Sequence, residues 1–297
     1  MSVIDVSSGQ RRARLAALRY DLYLLQKNVL SMAGLVVVVL LVLAAALAPV
    51  LAPYPADAGT QVHMSQQLLP PSRTHLFGTD EMGRDIFSRV LYGARISLGI
   101  GVFTIGLALL IGVPLGLVAG YAGGIVDEVI MRVTDVFLSF PPLLLATAVS
   151  AMLGPSLVNA MIAIAIAWWP WYTRLIRGQA VSLRERGFVE AARATGVPHV
   201  TIIFRHILPN AIAPVIVQAS MDFGSVILEA ASLSFLGLGA QPPEPEWGLM
   251  VSLGRNFFLT DWWYVTFPGL AILITVLGFN LLGDGLREIL DPKTREV

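Results

Sequence analysis

The 297-residue chain has no cysteine, which excludes disulfides, thiolate metal sites and a cysteine nucleophile. Lysine is nearly absent. Lys27 follows Gln26 and Lys293 follows Pro292, so neither can be the phosphate-holding lysine after the glycine of a P-loop. ATP hydrolysis by that chemistry is excluded here. The four histidines, His63, His75, His199 and His206, show no metal-helix spacing. An intramembrane protease would want Gly-x-Gly-Asp or Gly-x-Ser-Gly, and residues 281–284 (Leu-Leu-Gly-Asp) and 154–157 (Gly-Pro-Ser-Leu) miss both patterns. No catalytic residue, metal ligand or bound cofactor is therefore expected. Charge is scarce as well: 13% of residues are charged, about half the usual share of a soluble domain, and the net charge is zero. No global field points to nucleic acid.

What the chain has is apolar surface. Apolar residues make up 56% of it and the mean hydropathy is +0.72. A soluble fold of this size lacks the polar residues to cover that much apolar surface, so lipid is the natural solvent. A crossing helix needs about 20 mostly apolar residues. Residues 28–51 give a first span. Its apolar run is too long for a signal-peptide core, and Pro49 sits where cleavage would fall, so an uncleaved span is expected. Further spans are expected at 96–126, near 128–153, near 157–178, at 208–235 with Asp222 and Glu229 inside, and at 263–283. The third and fourth form a hairpin broken at Gly154-Pro155-Ser156. The expected fold is all-α integral membrane with six transmembrane helices.

Placing the N-terminus in the cytoplasm puts 15 Lys and Arg near inner ends and 5 (Arg73, Arg84, Arg89, Arg95 and Arg255) outside. Both termini are then cytoplasmic, namely segment 1–27 and tail 285–297. Residues 52–94 form an outer loop, with Arg89 and Arg95 on an interfacial helix beside Asp85. Residues 178–206 form an inner loop, and 237–262 a second outer loop.

The inner loop is the most informative segment. Phe188, Ala191, Ala192 and Thr195 fall at i, i+3, i+4 and i+7, one face of a short helix. Gly196 is placed for a left-handed cap, and Pro198 can open a second helical piece running towards Leu208-Pro209. Small alanines let another backbone come close. These residues alone fit either an amphipathic re-entry into the fifth span or a docking element.

The string Glu190-Ala191-Ala192, Gly196 and His206-Ile207-Leu208-Pro209 resembles the EAA loop of binding-protein-dependent ABC importer permeases. His206 stands where the general pattern has Ile, a departure that the peptide/nickel branch tolerates. Other stretches resemble that branch too: Phe77 to Asp85 with Ser88-Arg89, Gly120-Tyr121-Ala122-Gly123-Gly124 with Asp127, Met131, Arg132 and Asp135, Ser234 to Gly239 through Trp247-Gly248, and Asn280 to Arg287 with Asp291-Pro292-Lys293. The likeness covers about 28–293 and is closest to the C-type permease of dipeptide/oligopeptide importers. It implies a type I ABC importer permease fold in a bacterial inner membrane, with residues 95–284 as the transporter's transmembrane domain. The implied partners are a second homologous permease, two cytoplasmic ABC ATPases that carry ATP and Mg, and an extracytoplasmic substrate-binding protein. The resemblance makes Phe188, Glu190, Ala191, Ala192, Gly196, Pro198, His206, Leu208 and Pro209 the ATPase-coupling loop. It leaves open peptides, nickel chelates, glutathione, opines or oligosaccharides as cargo. A secondary transporter would want polar, interrupted spans in matched halves, and none is evident.

Charged groups inside spans are costly and call for a partner or a pathway. Arg132 with Asp135, and Asp284 with Arg287, are spaced i, i+3 for structural ion pairs. Asp222 and Glu229, seven apart on one helix face, point either to the translocation pathway or to the partner permease. A peptide's amino end favours carboxylates in the pathway. Trp168, Trp169, Trp171 and Tyr172 read as packing or an aromatic belt.

Overall fold

The computed structural model describes residues 28–290. Segment 1–27, Lys293 and Arg295 lie outside the described residues. The expectations on segment 1–27 and on the tail beyond Leu290 lie there too.

Among the described residues the regular secondary structure is helical apart from one isolated bridge, Thr79 to Asp85. Helix α1 spans Val29–Leu51, and the Asn28 side chain caps it by accepting from the N–H groups of Leu30 and Ser31. Helix α2, Ile86–Ala122, starts on the Asp85 carboxylate, which accepts from Ser88 N–H at 2.8 Å. It stops at Gly123, whose φ of +67° a side-chain-bearing residue adopts at a cost. Next come α3 (Gly124–Leu138), α4 (Pro142–Leu153) and α5 (Leu157–Arg184). The short α6 (Gly187–Ala194) follows, then a turn at His199–Thr201, a π-helical stretch Ile202–Ile207 and α7 (Leu208–Phe235). Helices α8 (Trp247–Gly254) and α9 (Trp263–Leu290) close the chain.

Among the described residues, four helical segments, Val29–Leu51, Ile86–Ala122, His199–Phe235 and Trp263–Glu288, are long and apolar enough to cross a membrane. Helices α3 and α4 make a fifth only if the pair, bent by 87°, counts as one crossing. The third span expected near 128–153 is thus two helices joined at an elbow. Its cause lies in the sequence: Pro141-Pro142 follows Ser139-Phe140, a proline pushes the preceding residue out of helical geometry, and Pro142 begins a new helix. Helix α5 is long enough at 28 residues, but Trp168 to Tyr172 and Arg174 dilute its apolar run. Arg89 and Arg95 are not on a separate interfacial helix either. They occupy the first turns of α2.

Helices α2 and α5 meet backbone to backbone. Gly112, Gly116 and Gly120 lie at successive i+4 positions of α2. A Cβ added at Gly112 would come within 2.6 Å of Trp169 O, and one at Gly120 within 2.7 Å of Arg177 O. At Gly116 it would run into Thr173 O and Ile176. Small residues that let helices approach this closely replace the hydrophobic driving force that lipid cannot supply. Leu117, Ile164, Tyr172, Ile176, Ile207, Val215 and Leu233 fill the core between α2, α5 and α7. Side chains such as Leu110 and Ile125 stay exposed, as expected of surfaces that lipid covers.

Residues 52–85 and 237–262 build a lobe at the N-terminal end of α2. It buries Asp57, His75, Asp80, Arg84, Asp85 and Arg89. Arg84 Nε donates to Asp80 at 2.7 Å, and Asp85 N–H donates to Asp57 at 2.8 Å. Arg89, 1% exposed, donates to the backbone oxygens of Asp57 at 2.9 Å, Pro243 at 3.3 Å and Glu244 at 3.4 Å. The Glu246 carboxylate caps α8 through Gly248 and Leu249 N–H, and burial pushes its pKa above the usual glutamate range.

Candidate functional site

The segment between α5 and α7 begins when α5 ends at Arg184. Helix α6 then carries Val189 and Ala192 inward, where both are buried. Phe188, Glu190, Ala191 and Thr195 point out, Phe188 at 43% exposure. The expected four-residue face is thus split: Ala192 joins the core, and Phe188, Ala191 and Thr195 remain as an open stripe. Gly196 closes the helix at φ +76°. Its N–H donates to Arg193 O, and Val197 N–H donates back to Ala192 O, the paired bonds of a Schellman turn. Pro198 sits one residue before the His199–Thr201 turn and is exposed, as are Gly196 and Pro209. The second helical piece does not stand alone but runs on into α7. Pro209 has no N–H to give to Arg205 O, and its ring crowds that carbonyl. Leu208 N–H reaches Ile203 O, five residues back, and His206 lies in the resulting π-turn, half-buried beside Leu208.

Asp222 and Glu229 do share one face of α7, turned to α5. Buried Asp222 accepts from Tyr172 O–H at 2.9 Å and from Gln218 Nε2 at 2.8 Å. Half-buried Glu229 accepts from Trp168 Nε1 at 2.8 Å. A cavity of about 250 Å³ opens here, lined by Leu138, Pro142, Ala167, Trp168, Trp171, Gln218 and Asp222. Trp168, Trp171 and Tyr172 therefore do more than pack. Gln218, one turn before Asp222, was readable as an i, i+4 partner, whereas Tyr172 lies on another helix and had no local signal.

The ion pairs differ from their expected form. Arg132 pairs with Glu128, one turn back, at 3.5 Å, and Asp135 pairs with Arg174 of α5. Asp127 likewise holds Arg177 through two bonds, at 2.5 and 2.6 Å. The 87° elbow brings α3 against α5, so Asp127 and Asp135 find arginines on that neighbouring helix, while Glu128 keeps Arg132 on its own. Asp284 and Arg287 are both exposed on α9 and are not paired with each other.

Residues 112–296 match the family model of the binding-protein-dependent transport system inner membrane component. The chain belongs to this family. It is a multi-pass, non-catalytic permease subunit of an ABC transporter, a machine that also needs ATPase and binding-protein partners. Residues 23–71 match the N-terminal TM domain of oligopeptide transport permease C. The chain is 51% identical to the dipeptide transport system permease protein DppC of Alkalihalophilus pseudofirmus, covering 91% of this chain and 88% of that one. It is 49% identical to the probable D,D-dipeptide transport system permease protein DdpC of Escherichia coli K12 (91% and 90% covered). Identity to the glutathione transport system permease protein GsiD of Pectobacterium atrosepticum is 46% (91% and 89% covered). Among solved structures, a chain of the MetNI methionine ABC transporter superposes with a TM-score of 0.55 at 17% identity, covering 69% of this permease and 97% of that chain. That likeness bears on the fold.

Proposed function

We propose that this permease forms half of the translocation pathway of an importer for short peptides of the dipeptide/oligopeptide class. Six crossings place both termini in the cytoplasm, with α5 making the crossing that its tryptophans disguise. A second permease completes the pathway, two ATPases drive it, and an outer binding protein delivers the cargo. The observation that carries this reading is the open stripe Phe188, Ala191 and Thr195 on α6, rigidly ended at Gly196. The short Ala191 beside one exposed aromatic ring gives the ATPase a shallow, close-fitting contact. Glutathione is the second reading of the cargo, because a tripeptide fits the same class and GsiD is a close relative.

The docking role is tested by Glu190→Lys combined with Gly196→Asp. Aspartate is strained at φ +76°, and lysine reverses the charge beside the stripe. Peptide uptake should be lost while the subunit remains in the membrane at its normal level. Normal uptake in the double variant would sink the assignment.

Asp222 and Glu229 form part of the route, beside the cavity at the α3–α4 elbow. A peptide's ammonium group gains a carboxylate and indole faces there. Asp222→Asn keeps the hydrogen-bonding shape and removes the charge. Together with Glu229→Gln it should cut dipeptide uptake by roughly tenfold, the size expected for losing one charged contact. Unchanged uptake of every peptide tried would place these residues outside the pathway.

A further inference from the structure

Helix α6 touches the core with two buried apolar side chains, Val189 and Ala192. Its polar attachment is narrower still. Among the described residues, every side-chain hydrogen bond that leaves segment 187–201 ends on Tyr121, the last aromatic residue of α2. The Tyr121 hydroxyl lies 2.6 Å from His199 Nδ1 and 3.4 Å from Arg193 Nε, and the Arg193 guanidinium sits 4.9 Å over the Tyr121 ring. A guanidinium only donates, so the phenol oxygen accepts from Arg193, while the same hydroxyl, able to donate or accept, bonds His199 Nδ1. Arg193 precedes the Gly196 turn and His199 follows it, so one buried ring holds both sides of that turn. Tyr121 is in turn fixed to the core, because Gly120 beside it packs directly on α5 and its carbonyl accepts from Arg184 at 3.2 Å.

We infer that Tyr121 is the positioning residue that passes displacement of the coupling segment to α2, and through the glycine seam to α5. This rests on the reading of 187–201 as the ATPase-coupling element. A coupling segment held only by the non-directional apolar contacts of Val189, Ala192 and Val197 could roll in place when the ATPases close. With Arg193 and His199 tied to one phenol, rolling breaks two bonds and a ring contact at once, so the segment moves the helix end with it.

The test uses the complete transporter of two permeases and two ATPases in proteoliposomes, with its binding protein and a radiolabelled dipeptide as probe. Transport per ATP hydrolysed is compared for the parent, Tyr121→Phe, His199→Leu and His199→Asn. Tyr121→Phe keeps the ring under Arg193 and loses the hydroxyl. Its ratio, and that of His199→Leu, should fall roughly three- to tenfold, as for one lost hydrogen bond. Basal ATPase activity and assembly should be retained. His199→Asn, which still offers both a donor and an acceptor to the phenol, should recover most of the ratio. Because the chain has no native cysteine, Thr195→Cys carries a single photo-crosslinker that reports docking. If the label fails to capture the ATPase in the otherwise unaltered chain, the docking reading itself is wrong. If capture is intact and both Tyr121→Phe and His199→Leu transport with the parental ratio, only the role of Tyr121 is overturned. Loss of capture in Tyr121→Phe would also overturn it, by making the residue part of docking and not of transmission.

Discussion

Leucine at Gly116 should leave almost no folded permease in the membrane. At this point α2 and α5 approach so closely that even a single added carbon collides with Thr173 O and Ile176. Gly112 and Gly120 hold the turns above and below equally tight, against Trp169 O and Arg177 O. The obstructing atoms are largely backbone, so side-chain rotation does not relieve the clash. Separating the helices would break the bond from Thr173 Oγ1 to Gly112 O, 3.1 Å, and that from Arg184 to Gly120 O. Overpacking usually costs about 1–3 kcal/mol, and a helix pair that cannot part lies at the top of that range or beyond. Gly116→Ala should be intermediate. Gly106→Leu on the same helix has open space around its Cβ position and should be neutral. Monodisperse yield after detergent extraction ranks the three. A parental yield for Gly116→Leu would mean that the seam is not close-packed in the folded protein.

The sequence reveals these features unevenly, for physical reasons. Long apolar runs are local, so α1 and α7 match the expected 28–51 and 208–235 within a residue. The Gly196 cap is equally local, because a left-handed residue after a short amphipathic stretch has few readings. The elbow at Pro141-Pro142 was present as a motif but hidden inside a charge-free run, where hydropathy outweighed backbone geometry. The expected Arg132–Asp135 pair did not form, because Arg132 turns back one turn to Glu128 and Asp135 is drawn to another helix. Once α3 lies across α5, Asp135 reaches Arg174 from another part of the chain. The outward stripe on α6 was half legible. Its period was correct, but a sequence does not say which side of a two-turn helix meets its own core and which is left for a partner. Tyr121 shows the same limit. It stands in the Gly120-Tyr121-Ala122-Gly123-Gly124 stretch, yet its partners Arg193 and His199 are more than seventy residues away.

Arg89→Met should lower the apparent Tm of the purified complex by roughly 10 °C or more. Arg89 is almost wholly buried, and its guanidinium joins three pieces of chain that sequence separates widely: Asp57, the Pro243-Glu244 stretch and α2 itself. Its Nε also lies 3.5 Å from Asp80 Oδ2, which Arg84 already engages. Methionine preserves most of the apolar stem, so the variant isolates the polar head. Three backbone carbonyls lose a donor, and Asp80 loses one of two cations. Removing one member of a buried charged network costs about 3–5 kcal/mol, far more than an exposed pair contributes. Arg89→Lys should rescue little, because a single ammonium cannot reach oxygens on both loops with the geometry of a planar fork. Arg95→Met supplies the contrast: Arg95 is exposed six residues further along the same helix, and its loss should change Tm by only a degree or two. If Arg89→Met melts with the parent, the lobe is held by its apolar contacts, Trp247 and the stacked pair Phe77 and Phe267, and the buried charges are incidental to it. If it melts early, the lobe is a polar clamp on the N-terminal end of the helix whose other end carries Tyr121. Loosening that clamp should then also weaken stimulation of the ATPases by the binding protein.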